Sequence, residues 1–236
     1  MATRNGFFSE AIFKFDHLER GVQEHLKRVY GTLAISMLSA AAGAYVHVVM
    51  GLISGGLLTT LGALGMMIWL AATHHSKANV AKRLGIFVGF TFFMGVSLGP
   101  LLDMVIKIDP SIVMTALMGT SLIFVSFSLA ALYNTNRTFL YMGGFLLSAL
   151  SWMCLAGFMN IFFRSQLIWN LNLYGGLLVF CGFVLYDTQL IVEKKRSGDD
   201  DYIWQSVDLF LDFINIFRRL MIILASKEEG KKKRRD

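Results

Sequence analysis

The chain has 236 residues, of which 55% are hydrophobic and 16% charged, and its formal net charge is +6. A mean hydropathy of +0.57 excludes a water-soluble globular domain and indicates an integral membrane protein. The basic residues lie at the ends of apolar segments and not on one basic face, so nucleic acid is not an expected partner. The lipid bilayer is the expected partner.

Residues 1–28 are predicted to form a cytoplasmic N-terminal arm. Charged residues interrupt it throughout, so it lacks the apolar core of a secretory signal. Phe8, Ile12, Phe15 and Val22 recur at helical spacing. The arm is therefore expected to be either an amphipathic helix at the membrane interface or a solvated extension.

Six apolar segments without Asp, Glu, Lys or Arg follow the arm. A helix that crosses about 30 Å of hydrocarbon needs roughly 20 apolar residues, and these segments have about that length. The short connections between them predict antiparallel neighbours. The predicted transmembrane helices are 29–49, 52–72, 84–102, 112–133, 139–163 and 167–186.

Glycines recur in the third segment at the spacing at which helices approach closely. Gly85 precedes Gly89 by four residues, and Gly95 precedes Gly99 in the same way. Small residues at this spacing favour close packing of membrane helices. Pro100 is expected to kink or end the third helix. Cys154 and Cys181 fall inside apolar segments and are predicted to be small buried apolar residues.

The last apolar segment, 203–225, differs from the first six because it carries charges. Asp208, Asp212, Asn215 and Arg219 follow one another at steps of four, three and four residues, so they line one stripe of a helix. A carboxylate that faces lipid costs several kcal/mol, and the stripe should face the protein interior. The predicted fold is an all-α membrane protein, a bundle of six transmembrane helices around a central, semi-polar seventh. The alternative for 203–225 is an amphipathic helix on the membrane surface.

Positive charges assign the two sides of the membrane. They are concentrated in the arm, in the second connection and in the sixth, which places the N-terminus in the cytoplasm. The basic tail, 226–236, is also predicted to be cytoplasmic and to contact anionic lipid head groups. Seven full crossings would place the two termini on opposite sides of the membrane. The last helix is therefore expected either to enter and return on one side or to cross within a sheath of protein. The basic residues of the tail are Lys231, Lys232, Lys233, Arg234 and Arg235.

The histidine spacing typical of a zinc hydrolase does not occur in the sequence. His74 and His75 are adjacent, and no HExxH motif occurs. We therefore expect no enzymatic activity and no cofactor.

Carboxylates remain as the candidate functional groups. If the last two helices pack antiparallel, Asp187 comes opposite Asp208 or Asp212. Two carboxylates in a low-dielectric site do not ionise together readily, so the pair should hold a proton and titrate as a unit. When ionised, it could admit a hard cation such as Ca²⁺, with Asp212 as a transient ligand. The alternative is that the aspartates cap helix ends or pair with Arg218 or Arg219.

Several stretches of the sequence resemble the transmembrane BAX inhibitor motif family. They are GFTFFMGVSLGP at 89–100, FVLYDTQLIVE at 183–193, DYIWQSVDLFLDFINIFRRL at 201–220 and the lysine-rich tail. The similarity runs from the arm to the tail. The resemblance implies six helices around a seventh and a two-aspartate pH sensor that matches Asp187 and Asp212. In bacterial members an Arg on the second helix latches that pair, whereas this sequence has no Arg from Leu52 to Ala72.

The resemblance also implies a protein of the endoplasmic-reticulum membrane. Such a protein would suppress apoptosis, lower luminal Ca²⁺ through a pH-sensitive leak and moderate the unfolded-protein response. The implied partners are Bcl-family apoptosis regulators and a stress-sensor kinase, and a second copy of the chain is a further candidate. A second hypothesis is a non-conducting adaptor that binds these partners through its helices and basic tail.

Overall fold

The computed structural model of the protein describes residues 18–134 and 137–233. This part of the chain consists of helices and short connections and has no strand, which confirms the predicted all-α class. The seven α-helices are α1 Arg20–Tyr45, α2 Leu57–Ala72, α3 Val80–Ile108, α4 Ser111–Tyr133, α5 Gly143–Phe163, α6 Gln166–Arg196 and α7 Tyr202–Lys232.

Among the described residues, five helical stretches are long and apolar enough to cross a membrane. The helix α2 has 16 residues and is shorter. The helix α7 is long enough, but it carries the charges described above. The five stretches are Arg20–Met50, Lys77–Ile108, Ser111–Tyr133, Thr138–Phe163 and Gln166–Arg196.

Several helices extend beyond the apolar segments into polar sequence. Residues 20–28, assigned from the sequence to the arm, form the first turns of α1, and residues 226–232, assigned to the tail, continue α7. Backbone hydrogen bonding does not stop where hydrophobicity stops, so a helix can continue into the head-group region. The other predicted features of the arm, at Phe8, Ile12 and Phe15, lie outside the described residues, as do Arg234 and Arg235.

The helix α7 lies at the centre of the bundle. It packs against α1, α3, α4 and α6, and its apolar side chains Ile203, Leu209, Phe210 and Ile216 are fully buried. The helices α2 and α5 pack mainly on α3 and α6 and form an outer layer. Four helices therefore surround α7 directly, instead of the predicted six. Cys154 lies exposed on the outer helix α5, contrary to the prediction that it is buried, whereas Cys181 is buried on α6.

The direction of α7 follows from contacts at its two ends. Asp201, just before the helix, forms an ion pair with Arg83 near the start of α3, and Lys232 donates a hydrogen bond of 2.6 Å to the carbonyl oxygen of Ile108 at the end of α3. The helix is unbroken over 31 residues, about 46 Å at 1.5 Å per residue. It does not enter and return, so the two described ends of the chain lie at opposite ends of the bundle. The side of the membrane on which each terminus lies stays a prediction.

Close packing of α1 on α3 depends on two glycines. A Cβ atom at Gly95 would overlap the carbonyl oxygen of Ala40, and one at Gly43 would overlap that of Phe92. Backbones can approach this closely only where no side chain intervenes. By contrast, Gly85 has nothing within 4 Å of an added Cβ. Pro100 lies inside α3, which continues to Ile108, so Pro100 does not end the helix.

Candidate functional site

The antiparallel packing of α6 and α7 brings two of the predicted carboxyl groups together. Asp187 on α6 and Asp212 on α7 lie within hydrogen-bonding reach of each other. Asp212 is only 3% exposed, and its Oδ2 atom has no hydrogen-bond partner among the described residues. Two carboxylates are both acceptors, so a hydrogen bond between them requires a proton on one.

Asp208 is the third carboxylate of this region. It lies one helical turn before Asp212 and close enough to interact electrostatically with both Asp187 and Asp212. The cationic side chain of Lys194 acts on Asp187 and Asp208 through space, and it is in none of the ion pairs among the described residues. The structure thus brings all three predicted aspartates to one region of the α6–α7 interface.

The predicted charge partners lie elsewhere. Arg219 donates a hydrogen bond of 3.1 Å to Oδ1 of Asn215, and its guanidinium lies 4.7 Å from the ring centre of Phe180. Across residues 18–134 and 137–233, neither Arg218 nor Arg219 forms an ion pair. Asp187 and Asp212 also lie inside their helices and cap neither end. The structure therefore contradicts the alternative in which the aspartates are caps or partners of these arginines.

Three buried hydroxyl groups lie between α1, α4 and α6 and were not predicted from the sequence. They belong to Tyr30 on α1, Ser128 on α4 and Thr188 on α6, and the Tyr30 hydroxyl faces the other two. None forms a well-aligned hydrogen bond to another described residue. Buried hydroxyls of this kind are commonly satisfied by ordered water. One indication of these hydroxyl groups was present in the sequence, which was the position of Thr188 directly after Asp187.

A buried ion pair closes the end of the bundle where α7 begins. Nη2 of Arg83 lies 2.7 Å from Oδ2 of Asp201, and Arg83 is 3% exposed. Nδ1 of His75 accepts a hydrogen bond of 2.8 Å from the Arg83 guanidinium. The Asp201 carboxylate also accepts a hydrogen bond from the backbone N–H of Trp204, which makes it the N-cap of α7. This cluster fixes the start of α7 to α3.

The carboxyl region has the chemistry of a transient cation site. Oxygen ligands suit hard cations such as Ca²⁺, but a stable Ca²⁺ site uses six to eight of them. Within the described residues, no group of at least three His, Cys, Asp or Glu side chains is arranged to hold a metal ion. The predicted transient contact of Ca²⁺ with Asp212 therefore stays a prediction.

These features define a class: a multi-pass helical membrane protein with ionisable groups in the interior of its bundle. The family model described as "Inhibitor of apoptosis-promoting Bax1" matches residues 22–229. Bax inhibitor 1 of Bos taurus is 55% identical over 226 residues, which cover 96% of each chain. Bax inhibitor 1 of Homo sapiens is 54% identical over 224 residues, or 95% of this chain and 94% of the human one.

The similarity extends to plants. Bax inhibitor 1 of Arabidopsis thaliana is 43% identical over 225 residues, which cover 94% of this chain and 89% of the plant protein. The chain belongs to the Bax inhibitor 1 family of non-enzymatic membrane proteins that inhibit apoptosis, and the resemblance noted in the sequence is confirmed.

Proposed function

We propose that this protein suppresses apoptosis in the endoplasmic-reticulum membrane as a pH-sensitive Ca²⁺ leak gated by Asp187 and Asp212, and that it moderates the unfolded-protein response. One observation carries the proposal: the half-buried Asp187 and the buried Asp212 lie together between neighbouring helices, and within the described residues neither forms an ion pair with a basic side chain. Membership of the family supports the role in apoptosis.

The gate follows from the charge state of the pair. With one shared proton, the hydrogen bond joins α6 to α7 and carries a single negative charge, and with two protons the pair is neutral. When the last proton leaves, two negative charges are in contact in a medium of low dielectric constant and repel each other. A Ca²⁺ ion offsets both charges and is bound by their oxygens. Flux should therefore rise as pH rises.

The proposed path runs along the polar stripe of α7. Along α7, Asp208 lies between the Arg83–Asp201 cluster and the carboxyl pair. Asp212 belongs to the pair, and Asn215 lies beyond it, toward the C-terminal end of α7. The buried hydroxyls near Thr188 would offer further oxygen atoms to a hydrated cation. We assign the end that holds Arg83 to the cytoplasm, because most of the basic residues between the helices lie there.

A non-conducting adaptor is the second candidate function. The observation that favours it is that α7 continues as a helix through Lys232 and carries exposed basic side chains past the apolar part of the bundle. Such a helix could bind anionic head groups, Bcl-family regulators or a stress-sensor kinase. In that function the carboxyl pair would serve only to join α6 to α7.

Reconstitution of the full chain into liposomes tests the first candidate. We expect Ca²⁺ efflux to increase from about pH 6 to about pH 8, because the carboxyl pair loses its shared proton over a range set by its burial. Efflux is measured with a Ca²⁺-sensitive dye, and protein-free liposomes are the control. Folded protein that gives no efflux above this control would contradict the leak and favour the adaptor.

Removal of the basic tail tests the adaptor. Deletion of residues 231–235 should weaken binding to anionic liposomes, since each basic residue near a charged surface adds about 1 kcal/mol. The same deletion should leave Ca²⁺ efflux within about twofold, because the tail lies far from the carboxyl pair. Complete loss of efflux from a correctly inserted truncation would contradict the assignment of the path to α6 and α7.

A further inference from the structure

A second polar region of the bundle lies at the opposite end of α7 from Asp201. It is a cavity of about 570 Å³ between α5, α6 and α7. Three arginines line it: Arg164 from the connection between α5 and α6, and Arg218 and Arg219 from α7. Asn160, Asn172 and Asn215 also line it, and each side-chain amide already takes part in a hydrogen bond within the protein.

The cavity has cations but no anions. Its lining contains no Asp or Glu, and the sequence has none from residue 110 to 186 or from 213 to 227. Within the described residues, none of the three arginines takes part in an ion pair. This part of the bundle therefore holds three positive charges that no carboxylate of the described residues pairs with.

Arg219 shows that this charge is incompletely satisfied. Its Nε atom is buried and has no hydrogen-bond partner among the described residues. Its guanidinium lies over Phe180 and against Gly176, where an added Cβ would overlap it. A guanidinium keeps its charge in proteins, and a buried charge without a counter-ion is unfavourable. The ring of Phe180 compensates only in part.

The lining also indicates what kind of anion fits. Arginine forms paired hydrogen bonds to the oxygens of phosphate and carboxylate groups, and asparagine amides can donate to the same oxygens. The rest of the wall is apolar and includes Ile168, Leu173 and Ile222. Trp169 also lines the cavity, and its side chain is exposed on the surface of the bundle. Trp is enriched where membrane meets water, and basic pockets between membrane helices bind lipid head groups.

We propose that this cavity binds a phosphate-bearing anion. The guanidinium groups of Arg164, Arg218 and Arg219 would contact the phosphate oxygens, and the apolar wall would contact an acyl chain. The volume lies within the range of small-molecule sites, about 300–1,000 Å³. An anionic phospholipid and free phosphate present the same oxygens, so binding of each must be measured.

The test compares two double variants of the full chain with equal loss of charge, on α7 or directly after its last residue. R218Q/R219Q removes two charges from the cavity, whereas K227Q/K233Q removes two from exposed positions beyond it. Each is titrated in neutral detergent with short-chain phosphatidic acid, with inorganic phosphate and with phosphatidylcholine, and bound ligand is counted by native mass spectrometry.

We expect R218Q/R219Q to weaken phosphatidic acid binding by about tenfold or more and K227Q/K233Q by less than about threefold. Equal binding by R218Q/R219Q and the parent, or an equal loss in both variants, would overturn the proposal. Arg-dependent binding of inorganic phosphate as tight as that of phosphatidic acid would support the site and identify free phosphate as its ligand. Tighter binding of phosphatidic acid identifies the lipid.

A third variant keeps the test decisive if R218Q/R219Q does not fold. Arg164 is exposed and lies in the connection, so R164Q should fold and still weaken phosphatidic acid binding severalfold. Unchanged binding by folded R164Q, in that case, would overturn the proposal. These measurements record binding and not ion flux, so their outcome is independent of whether the protein conducts Ca²⁺.

Discussion

Replacing Asp212 by Asn is expected to lower Ca²⁺ efflux by about tenfold or more at about pH 8 and to remove its dependence on pH. The amide cannot ionise, so it offers no charge to a cation. It can still donate a hydrogen bond to Asp187, which keeps α6 joined to α7. The measurement is dye-detected efflux from liposomes across the pH range used for the parent.

Asp109→Asn is the matched control for that substitution. Asp109 lies in the exposed connection between α3 and α4, outside the membrane-spanning segments. The backbone N–H of Ser111 donates to its carboxylate and lowers the pKa of Asp109. A group with a lowered pKa stays ionised throughout the neutral range, so its loss cannot change the pH profile there. Efflux from Asp212→Asn that matches that of Asp109→Asn would contradict the gate.

Asp187→Asn separates the two members of the pair. It keeps Asp212 as the carboxylate in the path but removes the second group that shares its proton. We expect efflux to persist and to become less dependent on pH, because repulsion no longer builds up when the proton leaves. If this variant behaves exactly as Asp212→Asn does, the two groups act as one unit without separate roles.

The carboxyl pair could be predicted because local rules fix its geometry. Helical periodicity places Asp212 on one face of α7, and a short connection makes α6 and α7 antiparallel neighbours. Asp187 then comes opposite Asp212 within about one helical turn. The predicted arginine partners failed for the same geometric reason. Arg219 is seven residues from Asp212, about 10 Å along the axis, so it lies beyond the reach of an ion pair.

Features that depend on tertiary contacts could not be predicted in this way. Gly85 and Gly95 lie on one helix within similar four-residue spacings, yet only Gly95 meets a neighbouring backbone. The sequence shows Arg83 only as one of the positive charges of the second connection, although it forms a buried ion pair with a residue 118 positions later. Spacing shows which residues share a face of a helix, but not which face another helix covers.

The same ion pair yields the largest expected effect on stability. Asp201→Ala removes the partner of a buried guanidinium, which typically costs about 3–5 kcal/mol, and removes an N-cap worth about 1 kcal/mol. Arg83 is 3% exposed, so water cannot readily replace the lost carboxylate. We expect a marked fall in the midpoint of thermal unfolding in detergent, measured by the loss of helical circular dichroism.

Asp200→Ala is the matched control because it removes the same charge one position earlier. Asp200 lies outside the helices, and a hydrogen bond from Lys195 lowers its pKa. An exposed pair of this kind contributes about 0–1 kcal/mol, so its loss should change the midpoint little. The unfolding midpoint of Asp201→Asn should lie between those of Asp201→Ala and Asp200→Ala, since Asn can still cap α7 but cannot neutralise Arg83. Equal midpoints for Asp201→Ala and Asp200→Ala would mean that the ion pair does not hold α7 to α3.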